Sequence, residues 1–252
     1  MSYFSMGYWL IGLSVAVSVV GTLVGFTCIR QSARSLTTRF RVVWQVSAAI
    51  SIGGVGVWLP VFVSMLGLTV RGSLIRYDVL NVTGAAAVSV LGVWAALAIA
   101  GPTLRVPRLV LAGLVMGGGF GLMHFLALNA IRIQGSTEVQ PLMLAGAVAI
   151  AVAISLAALW FTRSFRPLAA LVGAAVVFAA GVMGLHFTDL VGLESQLSMS
   201  STTPPGKDLF GFFVPVFVVG MLSLAIPISA ILIAPDRRTV VPARIVKANS
   251  TF

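Results

Sequence analysis

The 252-residue chain is 59% hydrophobic and only 9% charged, with a mean hydropathy of +1.07. A soluble domain carries roughly 25% charged residues, so this composition excludes a water-soluble enzyme and indicates an all-α, polytopic membrane protein. The net charge of +10 does not indicate nucleic acid, because the basic residues lie in short segments between apolar spans, where they set orientation.

A helix crossing the hydrocarbon needs about 20 apolar residues. Seven stretches qualify: 7–29, 43–67, 79–101, 108–131, 141–162, 168–190 and 210–233. The first has no basic residue before it and no small-residue cleavage site after it, which predicts a retained span with an outer N-terminus. One set of connections holds Arg30, Arg34, Arg39, Arg41, Arg105, Arg108, Arg163, Arg166, Arg237, Arg238, Arg244 and Lys247; the opposite set holds only Arg71, Arg76, Arg132 and Lys207. The first set is therefore expected in the cytoplasm and the bundle is N-out, C-in. Asp78, Glu138, Asp189, Glu194 and Asp208 fall at or near the outer side. The single cysteine, Cys28, excludes an internal disulfide and a cysteine metal cluster.

The expected organisation is a seven-helix membrane domain over 1–234 and a short basic cytoplasmic tail over 235–252, too short for a catalytic module. No attached output enzyme and no enzymatic activity are expected. Within the longest outer connection, the Ser/Thr/Pro-rich stretch 198–205 reads as irregular. Trp9 and Tyr77 on the outer side, with Trp44 and Trp160 on the inner, read as interface anchors.

Spans two, four and six share a repeat. Gly117-Gly118-Gly119-Phe120-Gly121-Leu122-Met123-His124-Phe125 recurs as Ala180-Gly181-Val182-Met183-Gly184-Leu185-His186-Phe187-Thr188, placing the only two histidines 62 residues apart. A third copy, Gly53-Gly54-Val55-Gly56-Val57-Trp58-Leu59-Pro60-Val61-Phe62, has Val61 where the others have histidine. A fixed period of this length marks a repeated helix-pair unit. The three spans run in one direction, so Val61, His124 and His186 stand at matched depth, about 25 Å up from the cytoplasmic side. The glycines preceding each motif fit close helix approach.

An imidazole inside an apolar segment is costly, which makes each histidine a site candidate. Imidazole with thioether suits copper, particularly the cuprous ion. Met123 precedes His124, Met183 lies one turn before His186, and Met65 lies one turn after the Val61 position. The candidate donors are thus His124, His186, Met65, Met123 and Met183. Each methionine taken alone is better explained as core packing than as a ligand, whereas the histidines are equally well explained as structural hydrogen-bonding groups. Asp189 offers either a second-shell acceptor for His186 or an outer-boundary charge in water, the latter favoured slightly. Trp58 is deep enough to line the site. Heme held by two axial histidines is a lesser alternative. Ser64, Thr83, Ser89 and Thr188 show no base–nucleophile spacing, and phosphate loops are absent.

These residues resemble the MHYT family of bacterial integral membrane sensors, named for a Met-His-Tyr-Thr motif on three alternate helices. Met123-His124-Phe125-Leu126 is similar to one copy and Leu185-His186-Phe187-Thr188 to another; the first copy carries Pro60-Val61 in place of Met-His. The resemblance implies a multi-pass protein of the bacterial cytoplasmic (inner) membrane, embedded in the lipid bilayer. It further implies copper bound through Met123, His124, His186 and Met65, and detection of a diatomic gas such as oxygen, carbon monoxide or nitric oxide. Many members continue into cyclic-di-GMP cyclase or phosphodiesterase domains; here the resemblance implies a separate cytoplasmic signalling partner. A small metal or solute transporter, or a structural membrane subunit, are the other readings. A permeation pathway needs further polar residues through the membrane depth, and none is evident between the motif and the cytoplasmic side.

Overall fold

The computed structural model describes residues 7–70, 73–103, 105–165, 167–197 and 203–233. The expected tail at 235–252 lies outside the described residues, as do 198–202 of the Ser/Thr/Pro-rich stretch. Seven helical spans are present among the described residues: Trp9–Arg34 (α1), Thr38–Met65, Val79–Ala100 (α4), Val106–Asn129 (α5), Pro141–Ser164 (α6), Leu168–Val191 (α7) and Phe213–Leu232. Their length and composition make the chain a multi-pass membrane protein, as its hydropathy predicts.

The helices run about a turn beyond several apolar stretches. Arg30, Arg34, Arg39, Arg41, Arg108 and Arg163, expected in connections, therefore sit on terminal helical turns. The apolar run marks the hydrocarbon, whereas helical hydrogen bonding continues into the interface, where long basic side chains keep their charge in water.

Span two is not one regular helix. It comprises α2 (Thr38–Ala49), a π-helical segment (Ile50–Trp58) and α3 (Leu59–Met65). Pro60 has no N–H to offer the Gly56 carbonyl four residues back. That carbonyl instead accepts the buried Ser18 hydroxyl of α1 at 2.6 Å, and the Gly53 carbonyl accepts Ser89 of α4 at 2.7 Å. Neighbouring helices thus satisfy backbone groups that water cannot reach. The last span also breaks: α8 (Leu209–Ser223) gives way to α9 (Ala225–Ile233) at Leu224. Pro227 explains the break, since its ring cannot coexist with a regular bond to the Ser223 carbonyl.

Packing closes a ring in chain order. Span one lies on span two and α7, α4 on the π segment and α5, and α6 on α5 and α7; α5 and α7 each also reach the π segment. Span two is the most enclosed, 78% buried against 28–44% for spans one and three to six, whereas span seven is 11% buried and leans on the outside of spans one and two. Glycine permits these approaches at α1 and α5. A Cβ on Gly21 would stand 2.6 Å from the Gly56 nitrogen, and one on Gly117 would stand 2.5 Å from the Val152 Cα. Backbones this close are possible only without side chains.

The connections after spans two, four and six are laced together by short antiparallel strands that the hydropathy pattern does not show. Arg76–Tyr77 (β1) pairs with Ile131–Arg132 (β2), and Gly135–Val139 (β3) with Leu193–Leu197 (β4). Tyr77 also exchanges two backbone hydrogen bonds with Lys207, of 2.9 and 3.0 Å. This lacing corrects the assignment of Tyr77 as an interface anchor. Tyr77 is only 2% exposed, and burial pushes its phenol above the ordinary value. Trp9 and Trp160, by contrast, are well exposed on the bundle's rim.

Candidate functional site

Each motif helix turns one apolar stripe inward. On α5 the buried stripe runs Met116, Phe120, Met123 with His124, then Ala127; on α7 it runs Phe178, Val182 with Met183, His186, then Asp189. Residues three and four apart share a helical face, so both histidines point into the bundle rather than into lipid. Both are fully buried, and their ring centroids lie 5.8 Å apart with planes tilted by 57°. The two histidines separated by 62 residues in the chain therefore form one pair, as the repeat predicts.

Span two completes the environment. Val61 is fully buried at the third motif position, where it supplies no donor. One turn later, Ser64 places its Oγ 2.5 Å from His186 Nε2 and 2.8 Å from the Val61 carbonyl. A hydroxyl has one proton. With that proton on the Val61 carbonyl, Ser64 accepts Nε2–H of His186, which leaves Nδ1 as the lone-pair nitrogen. His186 Nδ1 has no hydrogen-bond partner among the described residues. Neither nitrogen of His124 makes a hydrogen bond of ordinary geometry, although the Phe120 carbonyl one turn back is near enough to interact electrostatically. Buried polar atoms are almost always paired, so the lone-pair nitrogen left on each ring, with no donor among the described residues, calls for an explanation.

The other candidates are placed as follows. Met65, Met123 and Met183 are buried in the same apolar core as the histidine pair, with 1%, 0% and 6% exposure, Met65 directly following Ser64. Trp58 is buried against Phe62, and its indole N–H donates to the Val82 carbonyl of α4 at 3.1 Å, so it ties span two to span three. Asp189 is not a water-exposed boundary charge: it is fully buried one turn beyond His186. Nor does it hold the imidazole, since both its carboxylate oxygens and His186 Nδ1 lack hydrogen-bond partners among the described residues. The helix end that sequence places at the surface is covered here by the laced connections. No cluster of three or more His, Cys, Asp or Glu residues suited to a metal exists among the described residues.

Two expectations are corrected by this geometry. Ser64 forms a hydroxyl–imidazole pair with His186 across 122 residues of chain; local spacing cannot show such a pair, though a serine one turn after the missing histidine was a signal. The interior below the motif is also not devoid of polar groups. Ser18, Thr22, Ser51, Ser89 and Ser155 are all fully buried.

Comparison with known proteins bears on this geometry. The MHYT model, described as a bacterial signalling protein N terminal repeat, matches residues 54–113 and 117–175. Residues 54–175 thus carry two MHYT repeats. The first matched repeat contains the Val61 position and the second contains Met123-His124, while the His186 copy follows residue 175. The chain is also 27% identical over 231 residues to the bifunctional diguanylate cyclase/cyclic di-GMP phosphodiesterase MucR of Pseudomonas aeruginosa. That alignment takes in 87% of this chain and 33% of MucR, so the chain spans about a third of the length of the curated relative it matches. No solved structure matches the chain.

Proposed function

We propose that this chain is a membrane sensor that binds one copper ion between His124 and His186. The observation that carries this reading is the buried histidine pair, in which the lone-pair nitrogen of each ring has no donor among the described residues. A neutral imidazole lone pair sealed in an apolar core is costly unless something accepts it, and a soft cation is the partner this donor set suits. The residues fit the metal: His124 and His186 supply nitrogen, and Met65, Met123 and Met183 are the sulfur candidates in the same core. Ser64 fixes which nitrogen of His186 faces the ion, the task such outer partners perform at metal sites. When bound, copper supplies a redox-active centre able to take a diatomic gas as ligand. Val61 leaves this site with two histidines where the motif has three.

The sensor's output is proposed to pass to a separate partner at the inner face, an enzyme of cyclic di-GMP turnover being suggested by the activities in MucR's name. The test is elemental analysis of detergent-purified protein after copper loading under reducing conditions, with wild type beside H124A/H186A. About one copper per chain in wild type, lost in the double variant, is the expected result. Absence of bound metal in both would refute the copper reading and leave a scaffold with a vestigial motif.

A further inference from the structure

At the opposite end of the bundle from the laced connections lies a cavity of about 430 Å³, lined by Ile29, Arg30, Arg34, Pro102, Arg163 and Phe165 among others. Three arginines line it and, among the described residues, no carboxylate does. The cavity is built rather than incidental. Arg30 donates to the Thr162 carbonyl at 3.4 Å and to the Phe165 carbonyl at 2.5 Å, and Arg163 donates to the Ala100 carbonyl at 3.4 Å. These bonds pin two side chains to the ends of α6 and α4 and so fix the cavity's walls. Each guanidinium carries five N–H donors, and Arg163 Nε is buried without a partner. Arg163, partly buried with only the neutral Ala100 carbonyl as its partner among the described residues, leaves its charge uncompensated there.

We infer that this cavity binds the phosphate group of an anionic ligand, and that the headgroup of an anionic phospholipid supplies it. Three arginines, each with a planar fork of N–H donors, match phosphate oxygens better than a single point charge would. The depth favours a lipid source: the cavity sits where α1, α4 and α6 end, at the level of the headgroups. Ile29, Pro102 and Phe165 offer apolar wall beside the charge, as a glycerol and upper acyl chain require. Basic pockets between membrane helices on the cytoplasmic side take anionic headgroups for this reason. The inference does not depend on copper or on the histidine pair.

The test is native mass spectrometry of the full chain in micelles containing equal amounts of phosphatidylglycerol and phosphatidylcholine. Wild type is expected to retain phosphatidylglycerol in preference, and each of R34Q and R163Q to weaken that retention about fivefold. Arg34 is exposed and has no fold-holding bond to lose, so R34Q keeps the test valid if R163Q is unstable. R105Q, at an exposed arginine on the same side, controls for lipid gathered by general surface charge and is expected to match wild type. Millimolar inorganic phosphate supplies the second arm. Displacement of the lipid by phosphate would uphold the phosphate site and assign it to a soluble ligand. Equal retention of the two lipids with no effect of phosphate, or equal loss in R105Q, would overturn the inference.

Discussion

The sharpest test of the bundle's architecture is a pair of adjacent glycines on α5. In Gly117→Ala the new Cβ would stand 2.5 Å from Val152 Cα, 2.7 Å from Val152 Cγ2 and 2.7 Å from Val152 N on α6. Carbon atoms in contact sit about 3.5–4.0 Å apart, and the opposing atoms include backbone, which no rotamer change can move. The two helices must part by about 1 Å, and overpacking of this kind costs about 1–3 kcal/mol. Gly118→Ala, one residue on, meets nothing within 4 Å, and replacing a helix-interior glycine there gains up to about 1 kcal/mol. The two variants should therefore differ by about 1–4 kcal/mol, roughly 5- to 700-fold in the unfolding equilibrium. The assay is unfolding by titration with sodium dodecyl sulfate in mixed micelles, followed by circular dichroism. A difference within about 0.5 kcal/mol, the scatter of neutral surface changes, would refute the close α5–α6 approach. His124, two turns further along α5, would then lose its argued position.

Three further outcomes are expected. Ser64→Ala leaves His186 Nε2–H buried without its acceptor and should cost about 1–3 kcal/mol; a double-mutant cycle with His186→Ala should show coupling, and additive losses would deny the bond. The Arg132 hydrogen bond, helped by the Asn81 and Leu80 amides, holds the Asp78 carboxyl below its ordinary value of 3.8. Its contribution to stability is therefore present above that value and fades as pH falls through the lowered folded value, so an acid titration of unfolding should lose this component in Asp78→Asn. Tyr77→Phe removes a buried hydroxyl with no partner and should be neutral or stabilising by up to about 1 kcal/mol, whereas a clear loss in the same micelle assay would reveal a hydrogen bond at that oxygen.

The sequence by itself determined what the bilayer dictates. Hydrocarbon thickness and the need to satisfy every backbone group internally make runs such as 141–162 or 168–190 legible as helices from composition alone. The repeat around His124 and His186 was legible for a related reason, since a duplicated helix pair puts equivalent residues at equivalent depth. Tertiary structure alone decided the rest, because in lipid the choice of neighbours comes from backbone contact and not from hydropathy. The π segment at Ile50–Trp58 depends on hydroxyls that Ser18 and Ser89 bring from other helices, and no local pattern encodes that. The burial of Asp189 and Tyr77 follows from strands joining three distant connections, and the Ser64–His186 bond from span two being the most enclosed helix and reaching α7 across the bundle. Depth along the membrane normal was written in the chain; the lateral arrangement that turns two histidines into a pair was set by which helices could approach most closely.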